Sequence, residues 1–120
     1  MMVDNDRPIG DGLHEQITNA LVGIQTRYLG HGPASAATFQ HDNVVVTLMQ
    51  DVLSKAEKIL AENGSRADVR KARELYRQEM EGDFRAAVER LTGRNVTAFL
   101  GASQLDQDVS AEIFILNGVA

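Results

Sequence analysis

The hydrophobic pattern of this chain changes its period several times, and each change marks a new secondary-structure element. Across residues 13–28 and again across residues 69–91, apolar residues recur every three or four positions, which is the spacing of an amphipathic helix. Residues 44–48 and 112–116 are instead short runs rich in β-branched and aromatic side chains, a pattern typical of strands. The chain therefore alternates between blocks of helix and blocks of strand.

Each strand run has a partner across a polar turn. Residues 36–41 precede the first run across Asp42 and Asn43, whose side chains bond nearby backbone and tolerate turn conformations. Residues 96–100 precede the second run across the polar segment 104–108. With no βαβ alternation, the sequence predicts an α+β fold in the order α-β-β-α-α-β-β, with an antiparallel sheet of two hairpins packed against the helices.

Two boundary signals fix the helices that lie between the hairpins. Ser54 and Glu57 have the spacing of a capping box, in which each side chain bonds the other residue's backbone amide. Gly93 follows the second long periodic stretch and predicts a left-handed C-cap. A short helix that starts after Ser54 and a long one that ends before Gly93 follow from these signals.

Length and composition indicate one globular domain. The chain has 120 residues, of which 43% are hydrophobic and 24% charged, close to globular averages. We predict a flexible N-terminal arm over residues 1–11, because this stretch is polar and contains Pro8 and Gly10. Residues 12–120 form the single domain.

Charge and hydropathy limit the classes of partner that the chain can bind. The net charge of −5 argues against nucleic acid, which requires a basic surface. No apolar run approaches the roughly 20 residues of a membrane-spanning helix, so we expect no direct membrane insertion. Cysteine is absent, which rules out disulfides and is compatible with the cytoplasmic location that we predict.

No catalytic or metal-binding constellation emerges from the residue pattern. The histidines lack the close spacing of metal ligands, and Ser54 with Glu57 is explained by capping. The sequence therefore predicts a protein without enzymatic activity, metal or cofactor. Glu57, Arg73 and His41 remain weak candidates for binding a ligand, the first two in a pocket between the long helix and the sheet.

The apolar strands predict a homodimer. Residues 113–116 are apolar at every position, so both faces of that strand favour burial, whereas helices on one side of a sheet cover only one face. An exposed apolar patch of this kind usually marks an interface, and two-fold pairing is the commonest way to cover it. The candidate interface residues are Phe114, Phe99, Val44 and Val46.

Several motifs together resemble the MpsC-like family of small bacterial proteins, from about residue 16 to residue 116. The most specific segment surrounds Ser54 and Glu57, although the family more often has threonine in place of Ser54. The matching motifs are Gly30-x-Gly32-Pro33, a hairpin with Asp42 at its turn, Leu53-Ser54-x-Ala56-Glu57-Lys58-x-Leu60, then Gly64, Val69 and Arg73, Leu91-Thr92-Gly93, and Glu112-Ile113-Phe114-Ile115-Leu116.

The resemblance implies a part in a sodium-translocating, membrane-potential-generating system, and it supplies no catalytic residues. A chain that has no membrane-spanning segment cannot form an ion pathway by itself. We therefore expect a soluble, non-enzymatic accessory or regulatory protein with a membrane protein complex among its partners. A small-ligand sensor and an enzyme with a cryptic site are the alternatives; ligand-induced thermal stabilisation would favour the sensor, and turnover of a substrate would favour the enzyme.

Overall fold

The chain forms an antiparallel sheet with helices on one side. The computed structural model describes residues 9–118, and the side chains of residues 12–118. The predicted α+β class and element order are confirmed. The elements are α1 (Ile9–Leu29), β1 (Ser35–His41), β2 (Val44–Gln50), α2 (Lys55–Glu62), α3 (Arg66–Thr92), β3 (Val96–Gln104) and β4 (Val109–Leu116).

Helix α1 starts inside the segment predicted as an arm. Residues 1–8 of that arm lie outside the described residues, and the helix begins at Ile9. At the other end Gly30 has φ 84°, and its amide donates to the Thr26 carbonyl at 2.8 Å. The left-handed conformation at Gly30 therefore ends the helix, as expected of glycine at this position.

The start of α2 and the end of α3 follow the two predicted signals. The capping box at Ser54 is complete, because the Glu57 amide donates to Ser54 Oγ and the Ser54 amide donates to the Glu57 carboxylate. Gly93 adopts φ 71° and closes α3. Ser65 precedes α3 in a position to cap it, but its side chain makes no capping bond.

The sheet has the strand order β1-β2-β4-β3, and every neighbouring pair is antiparallel. The two hairpins are thus joined through their second strands. At the other end of β2 from the hairpin turn, the buried Asp108 carboxylate accepts bonds from the amides of Val52 (2.9 Å) and Leu53 (3.1 Å). This contact ties the chain that leaves β2 to the loop before β4.

The main core lies between the sheet and the helices α1 and α3. Alternate side chains of β2 and β4 point into it, which matches the period of a strand with one face covered. A second, smaller cluster of Leu53, Val69 and Leu105 lies where α3 begins. The principal contributors to the main core are Ile17, Leu21, Ile24, Val45, Met49, Met80, Phe84, Val88, Phe114 and Leu116.

Candidate functional site

The side of the sheet that faces away from the helices is apolar and exposed. We call this side the open face and the opposite side the covered face. Neighbouring strands are in register, so the open-face side chains line up in rows that cross all four strands. From one end of the sheet to the other, the rows are His41-Val44-Ile115-Ala98, Phe39-Val46-Ile113-Leu100, Ala37-Leu48-Ala111-Ala102 and Ser35-Gln50-Val109-Gln104.

The open face carries large apolar side chains that water contacts. Phe39 is 55% exposed, Leu100 is 59% exposed and Leu48 is 37% exposed. Val46 and Ile113, which lie between Phe39 and Leu100 in the same row, are partly buried. Large contiguous apolar patches are rare on monomeric proteins and mark sites of interaction.

The electrostatics of the open face differ from those of the whole chain. The chain has a net charge of −5, yet the strand residues that point to this side include no aspartate, glutamate, lysine or arginine. His41 lies at one corner, and the other polar residues, Ser35, Gln50 and Gln104, share the row at the far end. The centre of the face therefore offers hydrophobic contact and no charge recognition.

The structure divides the predicted interface residues between the two sides of the sheet. Val44 and Val46 lie on the open face. Phe114 and Phe99 lie on the covered face, where Phe114 is fully buried and the two ring centroids are 5.1 Å apart. Phe99 also packs near Phe84 of α3, at 6.1 Å between ring centroids. These aromatic residues belong to the core, so a charged substitution at Phe114 would test the fold rather than an interface.

Other residues take the place of the two phenylalanines on the open face. Leu100 and Ile113 lie next to Phe99 and Phe114 in the chain and point to the opposite side. Sequence reasoning missed them because a run of apolar residues does not show which alternate positions face the helices. The signal that identifies them is the pairing register, which the sequence does not contain.

Glu57 and Arg73, predicted as weak ligand-binding candidates, are brought together as a structural ion pair. Arg73 donates from Nε to Glu57 Oε2 at 2.9 Å and from Nη2 to Glu57 Oε1 at 2.7 Å. Its Nη2 also donates to the Val52 carbonyl at 2.6 Å, and the side chain is only 7% exposed. These bonds hold α2 against α3 and use most of the donors of the guanidinium.

The ion pair sets the protonation state of Glu57. Partial burial acts to raise the pKa of this carboxyl, but the hydrogen bonds from Arg73 and from the Ser54 amide outweigh it and hold the pKa of Glu57 below its usual range. The ionised form is thus the one that the fold stabilises. A carboxylate in this state accepts hydrogen bonds and is a poor proton donor near neutral pH.

His41, the third candidate, lies apart from this pair. It is the last residue of β1, next to the β1–β2 turn, and its side chain is 93% exposed, with Nε2 3.4 Å from Asp42 Oδ2. The Glu57–Arg73 pair adjoins Val52, which follows the opposite end of β2. The structure therefore assembles no common site from the predicted candidates.

A polar row crosses the covered face, and sequence reasoning did not find it. Thr38, Thr47, Glu112 and Gly101 are successive neighbours across the strands. Arg77 of α3 pairs with Glu112 at 2.8 Å (Nε to Oε1) and 3.0 Å (Nη2 to Oε2). The Glu112 side chain is 1% exposed, so this ion pair is buried.

Hydroxyl groups continue the row towards β1. Thr18 Oγ1 donates to the His14 carbonyl at 3.0 Å, so it accepts from Thr38 at 2.6 Å. Thr38 in turn accepts from Thr47 at 2.8 Å, since each hydroxyl has one proton to donate. The chain of donors thus runs in one direction, from the centre of the sheet to α1.

Within residues 9–118, no cluster of three or more histidine, cysteine, aspartate or glutamate side chains is placed to hold a metal ion. The helices of the same segment lack the combination of length and hydrophobicity that a membrane span requires.

Comparison with known families assigns the chain to one of them. A family model described as "Na+-translocating membrane potential-generating system (MpsC)" matches residues 11–118. The chain belongs to the MpsC family. The MpsC match begins within α1 and extends past β4, so it includes both hairpins and the open face between them. Searches of curated proteins and of solved structures find no significant match.

Proposed function

We propose that this protein is a non-enzymatic accessory or regulatory component of a Na⁺-translocating, membrane-potential-generating system, and that it acts by binding protein through its open face. The family description supplies the process. The open face supplies the mode of action, because exposed Phe39, Leu48 and Leu100 lie on neighbouring strands of this side, away from the helices that pack on the sheet. We further propose that it acts in the cytoplasm as a homodimer, at a membrane protein complex.

The state of the polar candidates supports a binding role over catalysis. Glu57 and Arg73 bond to each other and to backbone groups, and Arg77 and Glu112 are paired beneath α3. A catalytic group needs access to substrate and a tuned proton affinity. Groups whose bonds are already used to hold helices in place contribute rigidity instead.

Contact with a membrane complex, and not insertion in the bilayer, is the expected mode of membrane association. The protein should remain in the supernatant when cells that lack the other components of the system are fractionated without detergent. It should sediment with membranes only when those components are present. Sedimentation in their absence would contradict this part of the proposal.

The decisive experiment measures membrane potential in the native host. A strain without this protein should lose part of the Na⁺-dependent component of the potential, as read by a voltage-sensitive dye across a series of external Na⁺ concentrations. The wild-type gene should restore it. An unchanged Na⁺ dependence in the deletion strain would overturn the assignment to this process.

Two leucine variants test whether the open face carries the role. Leu100→Asp puts a charge on the open face, whereas Leu75→Asp puts the same charge on α3 at a residue that is similarly exposed, 51% against 59%. When the two variants are expressed at equal levels in the deletion strain, Leu75→Asp should restore the Na⁺-dependent component of the potential and Leu100→Asp should not. Equal activity of the two variants would show that the open face is dispensable.

A further inference from the structure

We propose that a second copy of this chain covers the open face, with the two faces stacked about a two-fold axis that runs across the strands. This inference names the occupant of the face on which the proposed function rests. It follows from three properties of the face: its charge, its area and the arrangement of large and small side chains.

Charge favours a second copy over a partner recognised by ion pairs. Two chains of net charge −5 repel each other, so a self-association surface must keep acidic side chains away from the contact. The open face meets this requirement, since none of its strand residues is an aspartate or glutamate, nor a lysine or arginine. A partner with a charged docking surface would find no complementary group there and would leave its own charges desolvated.

The area of the face fits a small but specific interface. Strands lie about 4.8 Å apart and rise about 3.4 Å per residue, so four strands of seven paired residues span a flat area of roughly 450 Å². Protruding side chains enlarge the accessible surface beyond this flat value. Two copies together therefore bury about 1,000 Å², near the lower bound for a specific interface. We expect a dimer that dissociates on dilution.

The side chains of the two central rows differ in size. On β1, β4 and β3 one row has the large residues Phe39, Ile113 and Leu100 and the next row has Ala37, Ala111 and Ala102. On β2 the sizes are reversed, with Val46 in the first row and Leu48 in the second. A hollow of about 230 Å³ opens beside the second row, lined in part by Ala37, Leu48 and Val109. The face thus presents a ridge next to a depression.

This arrangement is self-complementary about only one of the two in-plane axes. An axis across the strands, midway between the central rows, places the ridge of each copy over the depression of the other, so Phe39 lies opposite Ala37 and Ile113 opposite Ala111. An axis along the strands would place ridge on ridge and leave the depressions facing each other. Close packing at interfaces favours the first arrangement, with the sheets within about 30° of each other.

Light scattering of the purified full-length protein tests the dimer. Across a series from low to high micromolar concentration, the mass should rise from 13.1 kDa towards twice that value. Leu100→Asp should hold the mass at that of the monomer, while Leu75→Asp should follow the wild type; circular dichroism checks that both are folded. A wild type that stays monomeric at every concentration would overturn the inference, as would equal dissociation of both variants.

A size swap tests the axis. Ala111→Leu fills the depression opposite Ile113 of the second copy and should weaken the dimer at least tenfold in Kd. Adding Ile113→Ala to the same chain makes room again and should restore the dimer. About an axis along the strands, Ala111 would face Leu48 instead, and Ile113→Ala would give no rescue. A weakened dimer that this second change fails to rescue would refute the axis across the strands.

The outcome of these measurements is independent of the membrane-potential experiment. A monomeric wild-type protein whose deletion still alters the Na⁺-dependent potential would refute the dimer and leave the proposed function standing. If the protein is a dimer but its deletion has no effect on the potential, the dimer stands and the proposed function is refuted.

Discussion

The Arg77 side chain lies against Gly101, in the space that a Cβ atom at position 101 would occupy. Gly101 belongs to the edge strand β3, and Glu112 is its neighbour on β4. Arg77 therefore reaches the buried carboxylate by passing over a residue without a side chain. The buried ion pair and the glycine form one structural unit.

Gly101→Ala should destabilise the protein by about 1–3 kcal/mol, because the methyl group displaces Arg77 from Glu112 and overpacks the contact. Gly82→Ala is the matched control, since Gly82 lies in α3 with open space where a Cβ atom would stand. There the change should stabilise the protein by up to about 1 kcal/mol through helix propensity. Urea unfolding measures the stability of both variants. If Gly101→Ala is as stable as the wild type, the proposed role of Gly101 is contradicted.

Arg77→Met should cost about 3–5 kcal/mol, because it leaves the Glu112 carboxylate buried without its charged partner. Arg85→Met removes a partly exposed ion pair with the same Nε to carboxylate distance, 2.8 Å to Glu81 Oε2, together with a 3.2 Å bond from Nη1 to the Val96 carbonyl. Its effect should stay below about 1 kcal/mol. Comparable losses of unfolding free energy in the two variants would argue that burial of the Arg77 pair has no energetic consequence.

Ser54→Ala should destabilise the protein by about 1 kcal/mol, because the Glu57 amide loses its acceptor at the start of α2. Ser65→Ala provides the comparison, since Ser65 occupies the equivalent position before α3 without a side-chain capping bond. That variant should unfold close to the wild-type midpoint. The prediction fails if thermal or chemical unfolding cannot distinguish the two alanine variants.

The stability contributed by Glu57 should depend on pH. The fold lowers the pKa of this carboxyl from 4.5, so the native state binds its proton less readily than the unfolded chain. The contribution is therefore complete above the unfolded pKa and is lost as the pH falls through the folded pKa. Glu57→Gln should be less stable than the wild type at pH 7, and the difference should shrink below about pH 4. A constant difference from pH 7 to pH 3 would show that the ionised form is not favoured.

Local chemistry made the helices and their ends predictable. The capping box at Ser54, the left-handed Gly93 and the spacing of Glu81 and Arg85 each depend on residues close together in the chain. The alternation of periods was enough to give the order of elements and the antiparallel sheet. These features follow from short-range geometry, which a sequence records directly.

The faces of the sheet and the buried pair depend on residues far apart in the chain. Arg77 and Glu112 are separated by 35 positions, and nothing near either residue identifies the other. The placement of Phe99 and Phe114 under the helices depends on the pairing of β2 with β4 and on the bulge between Val96 and Ala98 in β3. Only the assembled sheet decides which of two apolar sets faces α1 and α3.

The polar row on the covered face has a consequence for how the chain finds its fold. In β4 the hydrophobic side chains occupy both faces, so moving that strand by one residue would exchange one apolar set for another with little loss of hydrophobic burial. The same slip would carry Glu112 away from Arg77 and place Ala111 or Ile113 beneath it, according to its direction. We infer that the buried ion pair fixes the register of β4 in the sheet. Hydrophobic burial alone would allow two neighbouring registers, and the ion pair stabilises one of them.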